Sequence, residues 1–285
     1  SKWLAALPPE RRTRGAILRH AVLRELLDQV RAEIRNYGGR VGRITAREQR
    51  YGILSADRNA REMLVAQTRN AAIRLNFDRA LPKRVIETAV GLMGDGSPIN
   101  EYFENAVGKK LVAAIRDEIV KTIATGDSFG RLAKNLQKRA GVMPRQAHAI
   151  ARTEVNRARR ETTRQIYESQ GITEWEWVAA NSLRTCILCL TLDGKRFSIK
   201  DPFPTHVNCR CTMIAVHPKI THKRRTGREW LATRSAEEQE KVIGKEAFAA
   251  YERGEITLDD LVTFRTSKKW GRSAVRRPLK QALNR

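Results

Sequence analysis

All four cysteines of this 285-residue chain fall in one stretch, CILCLTLDGKRFSIKDPFPTHVNCRC, from Cys186 to Cys211. Written as spacing it is C-x2-C-x16-H-x2-C-x-C, with His206 among the thiols. Two thiolates separated by two residues can bite one tetrahedral ion, because a tight turn carries both sulfurs to the same side, and a second pair from a distant turn completes the four ligands. Cys186, Cys189, His206, Cys209 and Cys211 are thus five candidates for four places on a structural zinc ion. The favoured set is Cys186, Cys189 and His206 with either Cys209 or Cys211, and the all-cysteine set is the alternative. Paired disulfides would need an oxidising compartment; the opening residues SKWLAALPPERRTR contain no long apolar stretch, so reduced thiols are expected. Small buried hydrophobes are a further explanation, but such cysteines seldom cluster in Cys-x2-Cys pairs. Between the pairs, Asp193-Gly194 is flanked by strand-like residues, a hairpin signal because Gly accepts positive φ. The expectation is a zinc-stapled β hairpin, the metal standing in for a core too small to hold the region by itself.

The rest of the chain reads as mostly helical. Leu23, Leu27, Val30, Ile34 and Tyr37 recur at steps of four and three, which predicts a helix from about Ala16 that Gly38 and Gly39 end. A second Arg-rich helix is expected at roughly 56–79, with Leu64, Ala71 and Leu75 as its stripe. The loop GLMGDGSP at 91–98 is the candidate boundary. Helices are then expected over 99–124, 129–140 and 145–170, closed by Gly126, Gly141 and Gly171, with Asp127 and Ser128 as cap candidates. ITEWEWVAA (172–180) alternates Ile172, Glu174 and Glu176 against Trp175 and Trp177, so it reads as a strand, and CTMIAVHP (211–218) reads as another. Beyond Pro218 a basic linker leads into two short helices separated at Gly254, and the last twenty residues, with seven basic and no acidic side chains, read as a solvated or nucleic-acid-touching arm. The fold class is α+β: an N-terminal helical region (1–97), central helices followed by the small zinc-stapled antiparallel sheet (98–218), and a C-terminal region of short helices and basic arm (219–285). A hydrophobic content of 41 % with only 6 % aromatics suits such helical packing of small side chains.

Charge narrows the partners. With 55 Lys and Arg against 31 Asp and Glu, the net formal charge of +24 exceeds what solubility requires and favours a polyanion, nucleic acid first. Of the basic residues 39 are Arg, whose planar guanidinium grips two phosphate oxygens at once. The candidate contacts are Arg152, Arg157, Arg160 and Arg164 on the 145–170 helix, where Arg159 adds to the basic face and Glu154 is placed to pair with Arg157, and Lys268, Lys269, Arg272, Arg276 and Arg277 in the tail. Nothing suggests base readout, so binding to double-stranded DNA is expected to be non-specific. No apolar run approaches the length of a membrane span, and no membrane partner is expected. His20, His148, His217 and His222 read as surface residues.

An ordered string of motifs resembles the phage head morphogenesis proteins, the Mu F-like minor head proteins of tailed bacteriophages. GDSFGRLAKNL (126–136) precedes AHAIARTEVNRARRETTRQIYESQGI (147–172) with its ARTE at Ala151 to Glu154. The Trp175 and Trp177 strand follows, then R-x-C-x2-C at Arg184, Cys186 and Cys189, LDGKRF at Leu192 to Phe197, HVNCRC at His206 to Cys211, and the tail KVIGKEAFAAYERGEITLDDLV. The resemblance spans about 126–264. It implies a structural minor capsid protein without enzymatic turnover, found in the virion at the capsid interior or portal vertex, and in the host cytoplasm during assembly. Its implied partners are the portal protein, the major capsid protein and packaged DNA, and its role is head assembly or genome delivery. A zinc-stapled nuclease is the alternative: His206 and Asn208 beside cysteines resemble HNH nucleases, although that site needs a following helix where this sequence enters a strand.

Overall fold

Three glycines decide how the helices meet in the first part of the chain. In the computed structural model, which describes residues 21–69, 73–125, 131, 134, 135, 142–220, 224–267 and 271–284, helix α1 runs unbroken over Ala21–Thr68. Gly38 and Gly39 therefore do not end it, and the stretch expected at 56–79 is helical to Thr68 and not helical over 73–79, while 70–72, with the expected stripe residue Ala71, lie outside the described residues. A Cβ on Gly38 would sit 3.2 Å from Phe103 Cβ, one on Gly42 3.3 Å from Asn100 Cβ, and one on Gly108 2.5 Å from Ile34 Cγ2. A mid-helix Gly costs about 1 kcal/mol against Ala; here that loss is offset by the close approach it permits. These are packing glycines, and a single sequence does not distinguish them from caps.

The chain divides into two compact units, Ser1–Thr45 with Ser97–Ala151, and Ala46–Gly96 with Arg152–Arg285. In the first, Leu27 and Ile34 of α1 and Ile99, Phe103 and Ile119 are buried. The last three lie on α3 (Ile99–Tyr102), a π-helical turn (Phe103–Gly108) and α4 (Lys109–Thr125), which together fill the expected 99–124 helix. The 129–140 helix lies outside the described residues except for 131, 134 and 135, which are helical.

The second unit holds the sheet. Helix α2 (Leu81–Ala89) precedes the 91–98 turns, which the buried Gln49 side chain holds by donating to Leu92 O (3.2 Å) and accepting from Gly91 N (2.8 Å). Helix α5 (Val142–Ser169) reproduces the expected long helix and leads through Gly171, at φ +74°, into β1 (Glu174–Val178). β1 is central in a three-stranded antiparallel sheet, between β2 (Arg196–Ser198) and β3 (Thr212–Val216), with Trp175 opposite Phe197 and Ala215. The alternation holds within β1, where Trp175 and Trp177 are fully buried and Glu174 is exposed, whereas Ile172, grouped with the glutamates by its spacing, precedes the strand and is buried in the same core. Their rings stack with Phe203 at 5.1 and 4.0 Å, and Trp175 stacks with Phe197 at 4.5 Å, an aromatic block that gathers four rings in one core.

Two expectations need correction. The segment after Cys186 is not a hairpin strand but a short helix, α6 (Ile187–Leu192), all six residues of which are buried. The Asp-Gly turn does exist, with Gly194 at φ +85° and Lys195 N donating to Leu192 O, but it joins α6 to β2. Six consecutive buried residues cannot alternate faces, and α6 is instead shared. Leu188, Cys189 and Leu192 join the aromatic core, while Ile187 and Leu190 join a second core with Leu231, Ile243, Phe248 and Leu261.

That second core overturns the basic arm. Beyond the linker lie α7 (Gly227–Ala232), α8 (Ala236–Ile243) and α9 (Lys245–Glu252), where two short helices were expected. Capping boxes at Thr226/Glu229 and Ser235/Glu238 start α7 and α8, and Gly244 at φ +90° separates α8 from α9. A 3-10 turn then leads into an antiparallel hairpin of β4 (Val262–Ser267) and β5 (Gly271–Arg276), and α10 (Leu279–Leu283) follows. Ala274 and Ala282 are buried, so 271–284 is folded structure. Arg272 and Arg276 share the face of buried Ala274 near the two ends of β5, and Arg276 donates to Ile243 O, an arrangement that a count of basic residues does not reveal.

Asp259 ties this module to the β2 turn through ion pairs with Arg228 (2.6 Å) and Lys195. The hydrogen bond from Arg228, opposed by burial and helped by Lys195, holds its carboxyl down at about 2. A depressed folded value stabilises above the unfolded 3.8 and is lost as pH falls toward 2. Wild type should therefore lose roughly 1 kcal/mol across that window, after allowance for solvent screening, and Asp259→Asn should lack this step in acid titrations followed by circular dichroism. Trp177→Ala should cost about 3–5 kcal/mol, read as a lower denaturant midpoint.

Candidate metal centre

Two turns bring the five candidates together. Cys186 is the N-cap of α6 and Cys189 lies one turn inside it, so the Cys-x2-Cys pair is presented by a helix start. The other three come from the loop 203–211 that enters β3. There Cys209 N donates to His206 O at 3.2 Å, and Asn208 takes the left-handed conformation, φ +62°, that lets the chain double back between His206 and Cys209. The Asn208 backbone N–H donates to Thr153 Oγ1 (3.2 Å).

His206 Nε2 lies 3.0 Å from Cys189 Sγ and 3.6 Å from Cys186 Sγ, and Cys189 Sγ lies 3.9 Å from Cys209 Sγ. In a tetrahedral zinc site the edges are about 3.8 Å between sulfurs and about 3.5 Å between sulfur and nitrogen. The ligand atoms form two overlapping triplets, Cys186/Cys189/His206 and Cys189/Cys209/Cys211, within 4.8 Å in each. The cluster can therefore hold a metal ion, and all four cysteines are free thiols. His206 Nδ1 is 2.9 Å from Val207 O, so that nitrogen donates, and Nε2 faces the thiols, where a metal would take the place of its proton.

The electrostatics match a cation. Cys186 is held down to about 4, first by the hydrogen bond from Cys189 and then, against burial, by His206. Cys209 is also held well below the usual thiol range, chiefly by Cys189 and Cys211. Donating those bonds pushes Cys189 up. Cys211 is favoured as thiolate by Cys189, but its bond to Cys209 and burial outweigh this and push it up. Burial opposes charge on His206, yet Cys186 and Cys209 more than offset it and raise the ring to about 10. The result is thiolate character at Cys186 and Cys209, the form in which cysteine binds metal.

Arg160, a predicted phosphate contact, is buried and grips this loop. Its Nε donates to Cys211 O (2.9 Å), its Nη2 to Cys209 O (3.0 Å) and its Nη1 to Thr205 Oγ1 (3.2 Å), while the guanidinium lies 4.3 Å from the Phe203 ring. Asn156 adds a second donor to Cys209 O (3.0 Å). The remaining predicted contacts are dispersed rather than gathered. Arg152 is exposed and 3.4 Å from Asn208 Oδ1. Arg157 makes the expected pair with buried Glu154 (3.3 Å). Arg164 pairs with Glu161 (2.8 Å) and Glu168 (3.1 Å) and donates to Ile199 O. Arg272 stacks on Phe264 (4.4 Å), Arg276 donates to Ile243 O, and Arg277 lies 3.5 Å from Val262 O. Lys268 and Lys269 lie outside the described residues.

Asp193, read from sequence as a turn residue, is the hub of a buried lock. Its carboxylate accepts from Ala179 N (2.7 Å), Gly227 N (2.6 Å) and both Arg224 Nη1 contacts (2.8 and 2.9 Å), and Arg224 continues to Glu176 (2.7 Å) and Trp177 O (2.9 Å). No local spacing links Asp193 to a partner 31 residues away, so sequence reasoning had no signal for it.

In this arrangement a long helix, a three-stranded sheet and a Cys/His cluster that could hold a metal close on one another. Residues 113–214 match the family model described as Phage Mu protein F like protein. That span includes β1, β2, the start of β3 and every candidate ligand, a little over a third of the chain, and marks it as a Phage Mu F-like segment, as the motif string indicated. It does not include the tail motifs at 241–262. Comparison with curated proteins and with solved structures returned no match. Among the described residues, no helix is long and apolar enough to cross a membrane.

Removing the hub should be costly: Asp193→Ala leaves Arg224 without its buried partner and two N–H groups unsatisfied, about 3–5 kcal/mol, visible as a lower thermal midpoint than in Glu176→Ala.

Proposed function

We propose that this chain is a structural minor head protein of a tailed phage, acting in head morphogenesis at the portal vertex, with a zinc ion held by Cys186, Cys189, His206 and Cys209. The observation that carries the reading is the family match over 113–214, which encloses the whole cluster. Cys209 is preferred as the fourth ligand because its sulfur neighbours both Cys189 and His206, while Cys211 hydrogen-bonds within the cluster. The zinc is structural: it supplies a fixed crosslink between α6 and the 203–211 loop, and this chain's residues do the positioning through Arg160 and the Val207 carbonyl. His206 fits a ligand better than a general base, since both ring nitrogens are engaged within the cluster and its own loop.

The net charge of +24 supports a sequence-independent contact with packaged DNA. The partners are then the portal or major capsid protein and duplex DNA, and the setting is the virion.

Purified protein should contain about one zinc per chain by elemental analysis. Chelation or Cys189→Ser should lower stability by several kcal/mol, while Cys211→Ser should retain the metal. Metal-free protein with unchanged stability would overturn the zinc assignment. Affinity for duplex DNA should fall steeply with salt, and equally for unrelated sequences. Cleavage of that DNA in the presence of divalent ions would replace the structural reading with the nuclease.

A further inference from the structure

Several guanidiniums in the second unit have a carboxylate: Arg61 has Asp57, Arg157 has Glu154, Arg164 has Glu161, Arg224 has Asp193 and Arg228 has Asp259. Arg159 and Arg210 differ. Both are exposed, and neither guanidinium has a hydrogen bond or ion pair among the described residues. Both line the same concave pocket, of about 330 Å3, walled by α1, α5 and the start of β3.

No carboxylate lines this pocket. Buried Tyr167 and Met213 contribute apolar wall, and exposed Asn59 contributes an amide with no hydrogen bond among the described residues. Arg160 adds a third positive charge to the same wall, although its donors are turned to the Cys209 and Cys211 carbonyls. Unpaired guanidiniums on a concavity without counter-charge focus a positive field on it, and their planar forks fit phosphate oxygens. The volume exceeds what a bare phosphate needs and suits a phosphate with a sugar attached.

Both residues are held from behind. A Cβ on Gly52 of α1 would lie 2.9 Å from Arg159 Cγ and 3.2 Å from its Cδ, so the missing side chain at Gly52 is what seats the Arg159 stem. Arg210 stands between Cys209 and Cys211, whose carbonyls Arg160 clamps.

We propose that this pocket receives a backbone phosphodiester of DNA, with Arg159 and Arg210 gripping the phosphate oxygens and the apolar wall taking the adjoining sugar. The inference rests on the DNA-contact part of the proposed function and locates it at Arg159, which the sequence places on the basic helix face without making it a contact, and at Arg210, which no motif singles out.

The test is fluorescence anisotropy of the full chain with a labelled DNA duplex across a salt series, on variants whose circular dichroism matches wild type. Arg159→Ala/Arg210→Ala should weaken binding about tenfold or more, equally on unrelated sequences, and reduce the salt slope by about 1–2. Arg196→Ala/Lys200→Ala removes the same charge from the exposed rim of the sheet, and should weaken binding less than about threefold. Gly52→Ala, which displaces Arg159 without removing charge, should weaken binding in the same direction. Equal losses in the two double variants would reduce the effect to bulk charge and overturn the site. Unchanged affinity in Arg159→Ala/Arg210→Ala would overturn the site while DNA binding stands, and absence of DNA binding by wild type would overturn both. Inorganic phosphate or a deoxynucleoside monophosphate should displace the duplex. If either binds wild type through Arg159 and Arg210 while the duplex does not, the ligand is a free anion and the nucleic-acid assignment falls.

Discussion

A buried guanidinium must be given acceptors, and in this protein the need fixes where the metal candidates stand. Arg160 enters the interior from α5 and finds its acceptors in the carbonyls of Cys209 and Cys211 and in Thr205. An uncompensated buried charge would cost several kcal/mol, so the loop is bound to adopt a path that offers those oxygens. That path puts Cys209 and His206 opposite Cys189, and the left-handed turn at Asn208 follows from it. The family segment, the sheet and the cluster are thus coupled through one side chain.

Helix α6 supplies the other half of the coupling. One short helix faces two cores, the aromatic block on one side and the C-terminal helices on the other. Its first turn carries two of the thiols, and the Asp193 lock closes its far end against Ala179, Arg224 and Gly227. A three-stranded sheet with a three-residue edge strand has little stability alone. The polar lock and the thiol cluster hold α6 at its two ends, and both cores then have a fixed surface to pack on.

What could be read from the sequence was what local rules encode. Period-two alternation located β1, apolar spacing with a terminal glycine located α5, and thiol spacing located the cluster. Features that depend on distant partners were hidden. Gly38 looks like a stop until Phe103 is known to lie against it, and α6 reads as strand because six buried residues in a row are equally consistent with either form. The folded tail was hidden for a different reason, since its buried positions are the small Ala274 and Ala282 among conspicuous charges. Likewise the basic count of α5 was correct, yet the count cannot separate Arg160, which faces inward, from Arg159, which faces the pocket.

That separation has a physical consequence for how a basic protein uses its charge. On α5, Arg157 and Arg164 are spent on carboxylates, which neutralise them within the fold, while Arg160 keeps its charge but has its donors spent on carbonyls. Net charge is an arithmetic property of the chain, whereas the field felt by a ligand is set by the guanidiniums left without a partner. Arg159 and Arg210 are adjacent in sequence to residues that build the fold, Arg160 on one side and the two cysteines on the other. Their neighbours face inward because the core requires it, so they are carried to the surface with their donors unspent.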